Sequence, residues 1–240
     1  EMRKAVREQP RQGASQIKLF VSGGVLSPAD PIWMNQFGEE EIRVAVDEAA
    51  TRRTYVMAHA HTNEATIRCL RNGVRTVEHA TMLEADGAQA IADADAFAVP
   101  TLVIIDAIRA AGGSLGLSQD KLDKMQEVGR QAVGSLDLLR QAGAKIGFGT
   151  DLMGRLAFQQ SREFVLRSEV CTPLEILRQA TSINADLLQR TGELGVIAPG
   201  AQADILVVDG DPLADISVLE DHGRLALILK GGEAVRNTLS

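Results

Sequence analysis

The stretch VMAHAHTNEATIRCLRNGVRTVEHATM, residues 56–82, constrains this chain more than any other, because it holds His59, His61 and His79, three of only four histidines in 240 residues. Each histidine group follows a short β-like apolar run, 55–58 and 76–78, and the segment 63–72 between them has helical periodicity. The stretch therefore reads as a strand, helix, strand unit with histidines at both strand ends. In parallel α/β sheets the carboxyl ends of the strands are where sites are built, so the unit is a candidate metal or acid/base centre.

The same alternation continues along the chain. Strand-like segments near 16–21, 55–59, 76–78, 98–103 and 145–149 alternate with helical candidates at 39–53, 63–72, 85–95, 118–142 and 161–168, followed by 173–180 and 183–190. The strand segments are short, rich in Val, Ile, Ala and Gly, and not cleanly alternating, as expected of strands buried on both faces. Five consecutive βα units predict a parallel sheet in an α/β fold. Gly73 and Gly143 mark helix ends, and Thr172 with Glu175 forms a capping box with Pro173 at the first helical position. After Gly195 the character changes. GVIAPGAQADILVVDGDPLADISVLE and LALILKGGEAVRN read as two or three antiparallel strands, with Gly231-Gly232 as a hairpin signal, and place a domain boundary between 1–194 and 195–240. The opening EMRKAVREQPRQG reads as the middle of an amphipathic helix, so the expectation is a fragment of something longer.

Composition narrows the partners. With 45% hydrophobic residues the chain can bury a sizeable core, while 32 acidic against 25 basic residues give a net charge of −7 with only 3% aromatics. That balance argues against nucleic acid and anionic membrane surfaces. Cys69 and Cys171 form no CxxC pair, which suits a reducing compartment and favours a cytoplasmic location; any signal peptide would precede Glu1. No apolar run approaches the roughly 20 residues of a membrane span.

Four strand ends carry residues that need a chemical explanation: Lys18 in IKLFVSGG, His59 in VMAHAH, His79 in VEHAT and Asp151 in IGFGTD. A lysine within an apolar strand either reaches solvent along its stem or is chemically changed, and carboxylation by carbon dioxide would turn it into an anion able to bridge two metal ions. Singly, His59 and His79 fit hydrogen-bonded core histidines, and Asp151 fits a turn or N-cap residue. Together, imidazoles on neighbouring staves can approach one ion.

These segments, with GVIAPGAQADILVVDGDPL, resemble the amidohydrolase superfamily, in the branch of prolidase-like metallocarboxypeptidases, imidazolonepropionase relatives and ochratoxinase. The resemblance implies the C-terminal ~60% of a TIM-type (β/α)8 barrel, strands four to eight, plus part of a small β-sandwich. It implies carboxylated Lys18 as the bridge between two zinc ions, His59 and His79 on one ion and Asp151 on the other, with Asp151 as the catalytic proton carrier. The family pattern also has a His-x-His pair on strand one, and no histidine precedes Lys18, so strands one to three and half of the sandwich are expected from a missing segment or companion chain, and a homo-oligomer is expected. His61 remains a substrate-facing or supporting group, or a loop histidine. Gly23 and Gly24 are expected to let backbone approach the substrate, with Trp33, Met34 and Phe37 as an apolar wall and Arg155 as a partner for a substrate carboxylate. The implied reaction is hydrolysis of an amide bond to a C-terminal amino acid in a small amide or dipeptide, ochratoxin-type amides included. A one-metal cyclic amidohydrolase and a non-catalytic scaffold are the alternatives.

Overall fold

The apolar segments pair in their order along the chain. In the computed structural model, which describes residues 1–111 and 115–239, β1 (Ile17–Phe20), β2 (Val56–Thr62), β3 (Thr76–Met82), β4 (Phe97–Val99) and β5 (Lys145–Ile146) form one sheet in the order β1-β2-β3-β4-β5. Every pairing is parallel. A parallel pair cannot be joined by a hairpin, so each connection crosses over through helix. The crossovers contain α2 (Glu39–Ala50), α3 (Asn63–Arg71), α4 (Ala85–Asp93), and then α5 (Leu102–Ala111) with α6 (Gln119–Gln141). A strand order that never reverses is consistent with successive staves of a barrel, and the five strands form an open sheet.

Two compact units result, residues 1–100 with 108–146 and residues 101–107 with 147–240. In the first, α6 packs on β3 and α4, and α1 (Met2–Arg11) packs on α2. Phe97, Ile42, Ile91, Leu136 and Leu139 are fully buried there, each contributing about 1.5–3 kcal/mol by leaving water. β3 is buried from Thr76 to Thr81, which explains why its sequence lacks polar alternation. The buried carboxylate of Glu48 on α2 receives Arg3 and Arg7 of α1, the latter at 2.7 Å from Nε. Thr62 caps α3 by accepting the Ala65 N–H at 3.2 Å. Gly73 and Gly143, at φ 83° and 69°, follow α3 and α6 in the left-handed conformation that lets a helix end.

The second unit contains α7 (Arg162–Arg167), α8 (Pro173–Arg178), α9 (Asn184–Leu187) and an antiparallel sheet of β6 (Ile205–Val208), β7 (Leu225–Lys230) and β8 (Glu233–Asn237) in the order β6-β7-β8. Gly231 and Gly232 join β7 to β8 with φ 59° and 87°, the two positive values a two-residue hairpin of this hand requires. Thr172 and Glu175 cap α8 reciprocally with Pro173 at its start, as the sequence predicts. The interior holds a fully buried ion pair, Arg167 to Glu163 at 2.7 Å. Arg167 also donates to the Gly147 carbonyl at 2.9 Å and to Gln179 at 2.8 Å, while the other Glu163 oxygen accepts the Val103 N–H at 2.7 Å.

The strand expected over 98–103 stops at Val99, and Leu102 opens α5 instead. Pro100 has no N–H to continue the ladder. The run LVIIDAIRAA then buries Leu102, Val103, Ile104, Ala107 and Ile108 at helical spacing, a pattern a short apolar run does not distinguish from a strand. β2 and β3 extend further than expected, to Thr62 and Met82, and β5 is shorter. Among the described residues no helix is long and apolar enough to cross a membrane.

Removing one partner of a fully buried ion pair leaves the other charge desolvated, at a cost of about 3–5 kcal/mol. Arg167→Met is expected to lose that much unfolding free energy in urea, and the Glu163→Gln, Arg167→Met double variant to regain part of it.

Candidate metal centre

The three clustered histidines meet at the carboxyl ends of β2 and β3. His59 and His61 lie two residues apart on β2 and so face the same side. β3 would place Glu78, the register partner of His59, on that side and turn His79 away. His79 reaches it because the backbone leaves the strand conformation: φ is 73° at His79 and 46° at Ala80, and the register shifts between Ala60 and Thr62. Left-handed φ at residues with a Cβ costs of order 1–3 kcal/mol each and persists only where the surroundings hold it. The result is a packed trio. His59 lies 4.6 Å from His61 and 4.7 Å from His79 in edge-on contacts, and His61 stacks on His79 at 5.0 Å.

All three rings are buried, with 5–6% of their surface exposed. Burial disfavours the imidazolium, pushing His59 down to about 4 and His61 down to about 3, and His79 well below the usual histidine range. The neighbouring imidazoles add to the effect at His61 and His79. Neutral imidazole is the form that ligates a metal. Its tautomer at His59 follows from a hydrogen bond. Nε2 lies 3.3 Å from the Gly23 carbonyl, which can only accept, so Nε2 carries the proton and Nδ1 the lone pair. Nδ1 of His61 lies 2.8 Å from the Thr81 hydroxyl, and the His61 backbone N–H donates to Ser22 Oγ at 3.0 Å.

Lys18 and Phe20 face the same side of β1, and the Phe20 ring stacks on His59 at 4.4 Å. The Lys18 ammonium sits 5.5 Å from the Phe20 ring centre, and its charge adds to burial in disfavouring protonation of His59 and His79. The first unit thus brings Lys18, His59, His61 and His79 to one place. Lys18 itself is exposed, in keeping with the alternative in which its stem reaches solvent. Among the described residues no set of three or more His, Cys, Asp or Glu side chains is disposed to hold a metal ion. A metal here would need a donor besides the imidazoles, and the Lys18 ammonium, which has no lone pair, is not one.

The Gly23 carbonyl contacts His59, and Gly24 lies near its ring. A Cβ at Gly23 would fall 1.9 Å from the Pro31 carbonyl oxygen, so no other residue fits, and one at Gly24 would meet the His59 ring at 3.7 Å. The loop after β1 folds back on itself through Gly23 N–H to Met34 O at 2.9 Å and Gln36 N–H to Val21 O at 2.8 Å. Trp33 and Phe37 are exposed on it. His61, expected just beyond the strand, lies within β2. Asp151 and Arg155 belong to the second unit, both exposed, with Asp151 at φ 51° and Arg155 in a short 3-10 helix, Gly154–Gln159. Sequence reasoning misses Ser22, Thr81 and Ser135. Ser135 alone leaves a trace, being a poor helix former within a long helix.

The fold and site define an α/β protein with sequentially ordered parallel strands and its candidate site at their carboxyl ends. The amidohydrolase family model matches residues 1–235, and the chain belongs to that family. It is 30% identical over 235 residues to ochratoxinase of Aspergillus niger, covering 97% of this chain and 48% of that protein. A crystal structure of a prolidase complexed with N-methylphosphonate-L-proline matches at 46% identity and TM-score 0.95, over 98% of this chain and 58% of that one. A Xaa-Pro dipeptidase with bound methionine in the active site matches at 30% identity and TM-score 0.89, over 98% and 58%. The chain thus spans about half the length of the curated relatives it matches.

A histidine whose folded pKa lies below its unfolded value of about 6.5 leaves more protons on the unfolded chain, so stability rises with pH. The metal-free protein is expected to hold full stability above pH 6.5 and to lose it as pH falls toward the folded values of about 4 and 3. The loss amounts to about 3 kcal/mol for His59 alone. Urea titrations between pH 7 and 5 check this: a slope in the native protein, reduced in His61→Asn, is expected.

Proposed function

We propose that this chain carries the metal-holding strands of a hydrolase that cleaves the amide bond to a C-terminal amino acid. The observation that carries the reading is the pair His59 and His79: two buried, neutral imidazoles 4.7 Å apart at the ends of neighbouring parallel strands, in a member of the amidohydrolase family. In this reading β1 to β5 are strands four to eight of a (β/α)8 barrel, and the segment from residue 195 onward is a β-sandwich domain. Two zinc ions are the proposed cofactors. By the family resemblance, His59, His79 and a carbamate formed on Lys18 would hold one of them, and Asp151 would serve the other. Carbamate formation requires the neutral lysine amine to add carbon dioxide and release a proton.

When bound, divalent ions supply Lewis acidity toward a carbonyl oxygen and lower the pKa of water. The protein's own proton carrier is Asp151, which takes the proton of the attacking water and delivers it to the amine nitrogen as the C–N bond breaks. Arg155 meets the substrate carboxylate. Gly23 and Gly24 bring backbone close to the site, and His61 supports the reacting face. The relatives named prolidase, Xaa-Pro dipeptidase and ochratoxinase point to small N-acyl amino acids and dipeptides as the substrate class.

Asp151→Asn is expected to lower turnover on a panel of N-acyl amino acids and Xaa-Pro dipeptides by ~10²–10⁴ with the fold intact, the usual worth of one positioned proton-transfer group. Elemental analysis of the complete native protein is expected to find two zinc ions. One ion would favour a cyclic amidohydrolase, and none, with no turnover, a non-catalytic scaffold.

A further inference from the structure

The left-handed kink that turns His79 toward its neighbours is fastened from outside the sheet. Ser135 sits 2% exposed on α6, the helix packed against β3. Its hydroxyl donates to the Thr81 carbonyl at 2.8 Å and accepts the Leu83 N–H at 2.9 Å. Those two backbone groups lie immediately beyond His79 and Ala80, the residues at φ 73° and 46°. The Thr81 side chain, also buried, contacts Nδ1 of His61 at 2.8 Å, and the His61 ring stacks on His79. One hydroxyl, more than fifty residues along the chain, thus touches the backbone on one side of the kink, and through Thr81 reaches the second ring.

We propose that Ser135 is a positioning residue for the histidine cluster, holding the His79–Ala80 kink and, through Thr81, the orientation of the His61 and His79 rings. An unmet peptide N–H and carbonyl beside two left-handed residues would leave the segment free to relax toward ordinary strand geometry. In ordinary strand geometry the alternation of side chains takes the His79 ring off the face of His59. A serine fits because a single oxygen donates and accepts at once, and alanine does neither. The consequence for metal binding rests on the reading of the centre given above, whereas the consequence for the kink does not.

The test measures zinc affinity by chelator competition, together with amide exchange at Leu83 and the ring-to-ring NOE between His61 and His79 in zinc-free protein. Ser135→Ala is expected to bind zinc 10–100-fold more weakly, to exchange the Leu83 amide at least ten times faster, and to weaken the NOE. Ser135→Cys, whose thiol is a poorer donor and acceptor of similar size, is expected to fall between and serves if the alanine variant does not fold. Glu48→Gln, which disturbs the buried α1–α2 ion pairs instead, is expected to lower stability and leave zinc affinity unchanged. If both Ser135 variants bind zinc within threefold of the native protein, or keep the native NOE and Leu83 protection, the proposal is wrong. If the native protein binds no zinc, the metal reading fails, and the exchange and NOE data alone decide the role of Ser135.

Discussion

Desolvation of three imidazoles packed against one another is the constraint on which the site depends. A charged imidazole buried this deeply would need a counter-charge, and the pKa shifts reflect that cost: each ring is held neutral at pH 7. Neutrality then decides what the rings can do. They have lone pairs to give and no charge to repel a cation. The Gly23 carbonyl goes further at His59 by taking the Nε2 proton's hydrogen bond, which leaves Nδ1 as the donor. In the same turn Gly23 is required by a different neighbour, the Pro31 carbonyl oxygen, which a Cβ would approach to 1.9 Å.

Around that trio the backbone is bent to suit the side chains. Regular strand geometry would put His59 and His79 on opposite faces, given that His59 pairs with Glu78. Two consecutive left-handed residues undo the alternation. Such strain persists only because neighbouring groups meet the backbone's hydrogen-bonding needs, and Ser22 on one side and Ser135 with Thr81 on the other do so. The long helix α6 contributes to the site in this indirect way, although none of its residues stands out as reactive.

Much of this was legible in the sequence. The parallel α/β class, the helices flanking the histidines, the α8 capping box and the Gly-Gly hairpin each follow from local chemistry that the fold leaves undisturbed. The failure at 98–103 has the same kind of cause: LVII is apolar enough for either a strand or a buried helix, and Pro100 tips it to the latter. His59 and His79 were identifiable because histidine is rare here and both lie near strand ends. The kink, the tautomer and the three hydroxyls were not, because they depend on where atoms from distant segments meet. A serine on a helix looks like any other until its hydroxyl is found between two backbone groups fifty residues away.

We propose that the imidazole pair shares an ion with an oxygen donor made from Lys18. Carbon-13 NMR of protein prepared with zinc and ¹³C-bicarbonate tests it directly. A carbamate resonance is expected in the native protein, absent from Lys18→Met and from zinc-free samples, with zinc affinity reduced in the variant. No carbamate signal, together with equal zinc binding by native protein and Lys18→Met, would show that Lys18 supplies no metal donor.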